Sequence, residues 1–103
     1  MKQIHCVARF LAKNGMADEL ADSLRKLIPD TLSEEGCMGY ELTREIEYSG
    51  ADGTTWDVCL IEKWKSRADF DLHCRMPYVV EFFENTAAVL VEKSDVRLYC
   101  ILV

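Results

Sequence analysis

Cys37-Met38-Gly39-Tyr40-Glu41-Leu42-Thr43-Arg44-Glu45-Ile46-Glu47-Tyr48 alternates along its length. Met38, Tyr40, Leu42, Arg44, Ile46 and Tyr48 fall on one side, and Glu41, Thr43, Glu45 and Glu47 on the other. That is the pattern of a half-exposed strand, because successive side chains of an extended chain point to opposite faces. Ser49-Gly50-Ala51-Asp52-Gly53 follows as a hairpin turn, and residues 55–64 read as the antiparallel partner. Outward from this hairpin, residues 3–12 are rich in Ile, Val, Phe and Leu and stop at the turn signal Lys13-Asn14-Gly15. Between residues 16 and 32, Met16, Ala17, Leu20, Ala21, Leu24, Leu27, Ile28 and Leu32 recur at helical spacing, with Pro29 perturbing the last turn. On the other side, Ser66 is a candidate N-cap with Asp69 behind it, opening a helix that holds Ala68, Phe70, Leu72 and His73. Pro77 interrupts that helix. Residues 78–90 carry Val79, Phe82, Phe83, Ala87 and Leu90 on one face, and residues 96–103 close the chain as an almost wholly apolar strand.

The order strand-helix-strand-strand-helix-strand predicts an α+β fold of the ferredoxin-like kind, with two helices on one face of a four-stranded antiparallel sheet. A chain of 103 residues is the size of one domain, so residues 1–103 are taken as a single unit. The last strand reads as apolar on both faces, Val96, Leu98, Cys100 and Leu102 against Tyr99, Ile101 and Val103, and the third strand pairs Val58 and Leu60 with Cys59 and Ile61. Two helices cover only one side of the sheet. The second side is expected to be covered by another copy of the chain, in a two-fold homodimer.

Twelve basic residues against eighteen acidic ones leave a formal charge of −6, which repels phosphate backbones and anionic lipid surfaces. Nucleic acid and membrane are therefore not expected partners. The start Met1-Lys2-Gln3-Ile4-His5 lacks the apolar core of a signal peptide, and the expected location is the cytoplasm. The five cysteines, Cys6, Cys37, Cys59, Cys74 and Cys100, are odd in number and form no C-x-x-C pair, so they read as reduced small hydrophobes with no metal site.

Strand periodicity puts Trp56, Val58, Leu60, Glu62 and Trp64 on one face, so a carboxylate stands among apolar and aromatic neighbours. Burial there raises its pKa and makes Glu62 a candidate proton acceptor; the plainer reading pairs it with a cation such as Arg44. His73 follows on the next helix, with Asp69 four residues before it as a candidate orienting group. Tyr40 and Trp64 contribute a phenol and an indole, while Phe70, Phe82 and Phe83 contribute rings from the helices. Most aromatic stripes are simply core. Polar tips at Tyr40, Glu62 and His73 converging on an apolar layer nevertheless have the make-up of a small-ligand pocket. There is no glycine-rich phosphate loop, paired-histidine metal spacing, G-x-S-x-G elbow or dinucleotide fingerprint.

Glu35-Gly36-Cys37-Met38-Gly39-Tyr40-Glu41-Leu42, then Glu62-Lys63-Trp64-Lys65-Ser66, then His73, Pro77 and Phe82-Phe83, resembles the antibiotic biosynthesis monooxygenase (ABM) domain family. Its pattern is E-x-G-C-x-x-Y, then E-x-W-x-S, a His some nine residues later, and an aromatic-rich helix. The resemblance implies a dimeric α/β barrel with a pocket in each subunit between sheet and helices. It also implies oxidation of a quinol or phenol by molecular oxygen without a cofactor, making the chain an oxidoreductase. Glu62 or His73 would serve as the base, with Tyr40, Trp64, Phe70, Phe82, Phe83 and Arg44 around the substrate. The haem-degrading branch uses an Asn on the first strand, where this chain has Val7, Ala8 and Arg9. Two other activities stay open: isomerase-type processing of a small autoinducer-2-like signal, which needs cations such as Arg9, Arg44 or Arg75 in the pocket, and non-catalytic ligand binding.

Overall fold

Four strands, β1 (Ile4–Ala12), β2 (Cys37–Thr43), β3 (Val58–Trp64) and β4 (Val91–Cys100), form one antiparallel sheet in the spatial order β2-β3-β1-β4. The computed structural model describes residues 2–103. This is the ferredoxin-like arrangement that the order of elements predicted. Hydrogen-bonded register sets three rows across the helix-facing side of the sheet. Leu42, Leu60, Ala8 and Val96 make one, Tyr40, Glu62, Cys6 and Leu98 the next, and Cys37, Trp64, Ile4 and Cys100 the third. A partly polar row thus lies between two apolar ones.

Both helical connections are more broken than periodicity suggested. The first consists of α1 (Ala17–Arg25) and α2 (Ile28–Leu32), with Pro29 in the first turn of α2. Proline has no N–H to lose there, so it opens the second helix instead of perturbing the end of the first. The second connection runs α3 (Arg67–Cys74), α4 (Pro77–Glu81), a π-helical turn over Phe82–Thr86, and α5 (Ala87–Leu90). Ser66 caps α3 as expected: it is extended, and its hydroxyl accepts from the Asp69 N–H at 3.2 Å. Leu20, Leu24 and Leu27 from the first connection and Phe70, Phe82 and Leu90 from the second pack on Ile4, Cys6, Ala8 and Phe10 of β1. Fully burying a side chain of this size contributes about 1.5–3 kcal/mol, which makes this layer the main source of cohesion.

Three expectations change. Strand β2 stops at Thr43, so a 14-residue connection rather than a short turn leads to β3. Trp56 precedes β3 and does not share the face of Glu62. Its ring lies under the Arg9 guanidinium and the Lys93 ammonium, 5.6 and 5.3 Å from the ring centre, on the side away from the helices. The cause is Asp57, whose carboxylate accepts from the Ala12 N–H at 2.7 Å while its own N–H donates to the Phe10 carbonyl at 2.9 Å, which breaks the alternation before Val58. Finally, β4 begins at Val91, not Val96, and ends before Ile101. Its outer face therefore includes Lys93, Asp95 and Arg97, and Arg9 pairs with Asp95 at 2.8 Å. The far face of the sheet is mixed, with Val7, Ile61 and Tyr99 among charged residues, and is not the uniformly apolar surface expected. No helix among the described residues is long and apolar enough to cross a membrane.

Candidate functional site

Alternation on β3 turns Glu62 and Trp64 toward the helices, and register places Tyr40 of β2 and Cys6 of β1 on either side of Glu62. The Ser66 cap fixes the start of α3, so Phe70 and His73, three residues apart, both come down onto this part of the sheet. Gly36 makes the approach possible. A Cβ there would overlap the Asp69 side chain, and only its absence lets the turn before β2 lie against the first turn of α3.

Glu62 is 4% exposed and accepts a hydrogen bond from Trp64 Nε1 at 2.9 Å. Burial pushes its carboxyl pKa up to about 7; the Trp64 N–H and the Cys6 thiol pull it down, and the charge of Glu34 raises it further. The Tyr40 phenol is pushed well above its ordinary range by burial and by the neighbouring Glu62 charge, and so stays a neutral donor. His73 is 4% exposed, its ring tilted against Trp64 with centres 4.6 Å apart and lying 5.7 Å from the ring of Tyr40. His73 Nδ1 lies 2.7 Å from Glu34 Oε2, and the Tyr78 hydroxyl donates to that same oxygen. The Thr31 hydroxyl is fully buried and has no hydrogen-bond partner.

Glu62, Tyr40 and His73 border a cavity of about 150 Å³ between sheet and helices. Cys6, Tyr40, Glu62 and His73 contribute its polar tips; Phe70, Phe82 and Phe83 are among its apolar walls. Phe83 and Val96, each nearly half exposed, mark its outer end. The π turn carries both Phe82 and Phe83, and such turns recur where a helix has been reshaped at a functional site. Neither lysine nor arginine is among the lining residues.

Of the residues singled out in the sequence, Tyr40, Glu62, Phe70, His73, Phe82 and Phe83 border this one cavity. Trp64 stands behind them, wholly buried, and acts on the cavity through its N–H and its contact with His73. Arg44 is not brought to the site: it lies exposed in the connection after β2, so it neither pairs with Glu62 nor borders the cavity. Asp69 does not orient His73, because its carboxylate is engaged by the Ser66 hydroxyl at 2.7 Å in the helix cap. Glu34 is the partner of His73 instead. A signal for Glu34 existed, since the first Glu of E-x-G-C falls on Glu34 when Gly36 and Cys37 are matched. Nothing local marked Tyr78 or Thr31. Among the described residues no group of three or more His, Cys, Asp or Glu side chains is placed to hold a metal ion.

A family model described as antibiotic biosynthesis monooxygenase matches residues 3–85. "Putative monooxygenase Rv0793" of Mycobacterium tuberculosis is 30% identical over 84 residues, which cover 82% of this chain and 76% of that protein. Its solved structure superposes with a TM-score of 0.83 at 22% identity, covering 98% of this chain and 96% of the other. The crystal structure of protein SO0527 from Shewanella oneidensis gives a TM-score of 0.87 at 36% identity, covering 97% of this chain and 91% of that one.

Proposed function

The chain belongs to the antibiotic biosynthesis monooxygenase family, and from that premise we propose that it oxygenates a small quinol or phenol, bound in the cavity between sheet and helices, using molecular oxygen and no bound cofactor. The observation that carries this reading is the set Tyr40, Glu62 and His73 at the edge of an otherwise apolar cavity without a cation. A void of about 150 Å³ accommodates a benzene-sized ring, so the favoured substrate has a single ring. A larger one must displace Phe83 at the outer end.

Oxygen in its triplet state reacts slowly with closed-shell molecules, but a phenolate can give it one electron. Glu62 or His73 takes the phenolic proton, Tyr40 donates a hydrogen bond to the ring oxygen, and the phenylalanines keep water from the radical pair. Recombination forms a carbon–oxygen bond, after which the oxygen–oxygen bond breaks. For a hydroquinone the sum is one quinol plus one O₂ giving one hydroxyquinone plus one water. The ring supplies all four electrons, so no external reductant enters. Processing of a phosphorylated signal calls for cations at the ligand, and Arg9, Arg44 and Arg75 do not border the cavity.

Oxygen uptake against a panel of hydroquinones, with no flavin, nicotinamide or metal added, tests this directly. Equimolar consumption of quinol and oxygen is expected, falling by at least about 100-fold in the double variant Glu62→Gln, His73→Ala. Unchanged turnover in that variant removes the assignment. We also propose that the chain works as a cytoplasmic homodimer. Apolar residues at or near half exposure, Ile61 and Tyr99 on the far face of the sheet and Ile101 just beyond the end of β4, lie where a second copy would cover them. Sedimentation at micromolar concentration is expected to show a two-chain species, and a stable single chain contradicts this.

A further inference from the structure

Three separate elements meet at one oxygen atom. Glu34, in the turn between α2 and β2, presents Oε2 to His73 Nδ1 of α3 at 2.7 Å and to the Tyr78 hydroxyl of α4. The Glu34 side chain is only one-tenth exposed, so both contacts are shielded from water. A carboxylate only accepts, and a neutral phenol beside it can only donate, so the proton in the Tyr78 contact lies on the phenol. The oxygen's remaining lone pair is then matched by a proton on His73 Nδ1. If Nδ1 carries the hydrogen, a neutral imidazole has its lone pair on Nε2. Nε2 makes no hydrogen bond among the described residues, and His73 borders the cavity.

We infer that Glu34 is the positioning residue of this site: by accepting from His73 Nδ1 it holds the imidazole in the form that presents the Nε2 lone pair to the guest, with Tyr78 locking Glu34 in place. This rests on the reading of the cavity as a catalytic site, and it divides the labour there. His73 Nε2 receives the phenolic proton, and the Glu34 carboxylate stabilises the imidazolium that forms, which a neutral partner could not do. A free histidine side chain prefers its hydrogen on Nε2, so the fold reverses the intrinsic preference. The other titratable groups bordering the cavity are Glu62 of β3, Tyr40 of β2, Cys6 of β1 and Cys74 of α3. Glu62, bonded to Trp64, remains to hydrogen-bond the guest.

Long-range ¹⁵N–¹H correlation spectra of the ligand-free chain read the tautomer directly. The chain has two histidines, and His5→Gln assigns the signals. His73 is expected with Nδ1 protonated and Nε2 bare, moving toward the Nε2–H form in Glu34→Gln. In turnover, Glu34→Gln is expected to lower kcat by about 10- to 100-fold with KM within about threefold, and Glu34→Asp to recover part of the loss by keeping the charge. A wild-type His73 with its hydrogen on Nε2 overturns the inference, as does a folded Glu34→Gln chain with an unchanged tautomer. If Glu34→Gln does not fold, the wild-type spectrum decides. The expected spectrum combined with no oxygen uptake on any quinol upholds the positioning role and removes the oxygenation reading instead.

Discussion

Replacing Glu62 by Gln is expected to make the chain more stable above about pH 7, by about 3 kcal/mol at most. Burial lifts the Glu62 pKa from the ordinary 4.5 to about 7 in the folded chain. Between those values the folded state holds more protons than the unfolded one, so stability falls as pH rises through the window. Above the folded value the whole cost of keeping a carboxylate in an apolar layer is felt, and at 1.36 kcal/mol per pKa unit it comes to about 3 kcal/mol. Glutamine has nearly the same shape, and its carbonyl can still accept from Trp64 Nε1, so the substitution removes the charge and little else. The stabilisation should vanish below about pH 4.5, where both chains are neutral at this position. With a urea m-value of about 1–3 kcal/mol/M, the variant's midpoint should lie roughly 1–3 M above wild type at pH 9 and coincide with it near pH 4.5. A midpoint difference that is the same at both pH values would show that Glu62 does not titrate in this window. The same variant should lose activity, which is the trade-off expected where a strained charge is kept for function.

Trp64→Ala is expected to be among the most destabilising single substitutions in the chain. Trp64 is wholly buried, its ring meets those of His73 and Phe70 at 4.6 and 6.3 Å, and its N–H is the donor to Glu62. Truncating a buried aromatic ring costs about 3–5 kcal/mol, and an ionised Glu62 left without its donor adds about 1–3 kcal/mol. Together these approach the whole stability of a small domain, about 5–15 kcal/mol. Trp64→Phe separates the two effects, because it keeps most of the ring and removes the N–H. Since that hydrogen bond favours the charged form, its loss should move the Glu62 titration above about 7 and lower stability mainly at alkaline pH. Carboxyl ¹³C titration alongside urea unfolding reads both quantities. A Glu62 titration that stays in place in Trp64→Phe would mean that the 2.9 Å contact does not govern its charge.

The features legible in the residues themselves are those set by neighbours along the chain. Alternation on β3 put Glu62 and Trp64 on one face because an extended backbone allows nothing else, and the Ser66 cap opened α3 because a hydroxyl there satisfies a free N–H. Helical spacing carried Phe70 and His73 to the same side, so the central members of the site could be named without coordinates. Where local rules compete with distant ones, they fail. Asp57 is drawn to the backbone of β1, and Trp56 thereby leaves the face that alternation assigned it. The π turn at Phe82–Thr86 likewise breaks the helical spacing read over residues 78–90.

Partner choice was the part that only tertiary structure decided. Asp69 sits one helical turn before His73 and is the obvious orienting group in the sequence, but the cap holds it. Glu34 and Tyr78 reach the imidazole's site from 39 residues before His73 and from the helix after it. Sequence by itself determined which side chains face the layer between sheet and helices, since the period of a strand and the turn of a helix are properties of a few consecutive residues. Which carboxylate meets which ring depended on how the layers close over one another, and that is a property of the whole chain.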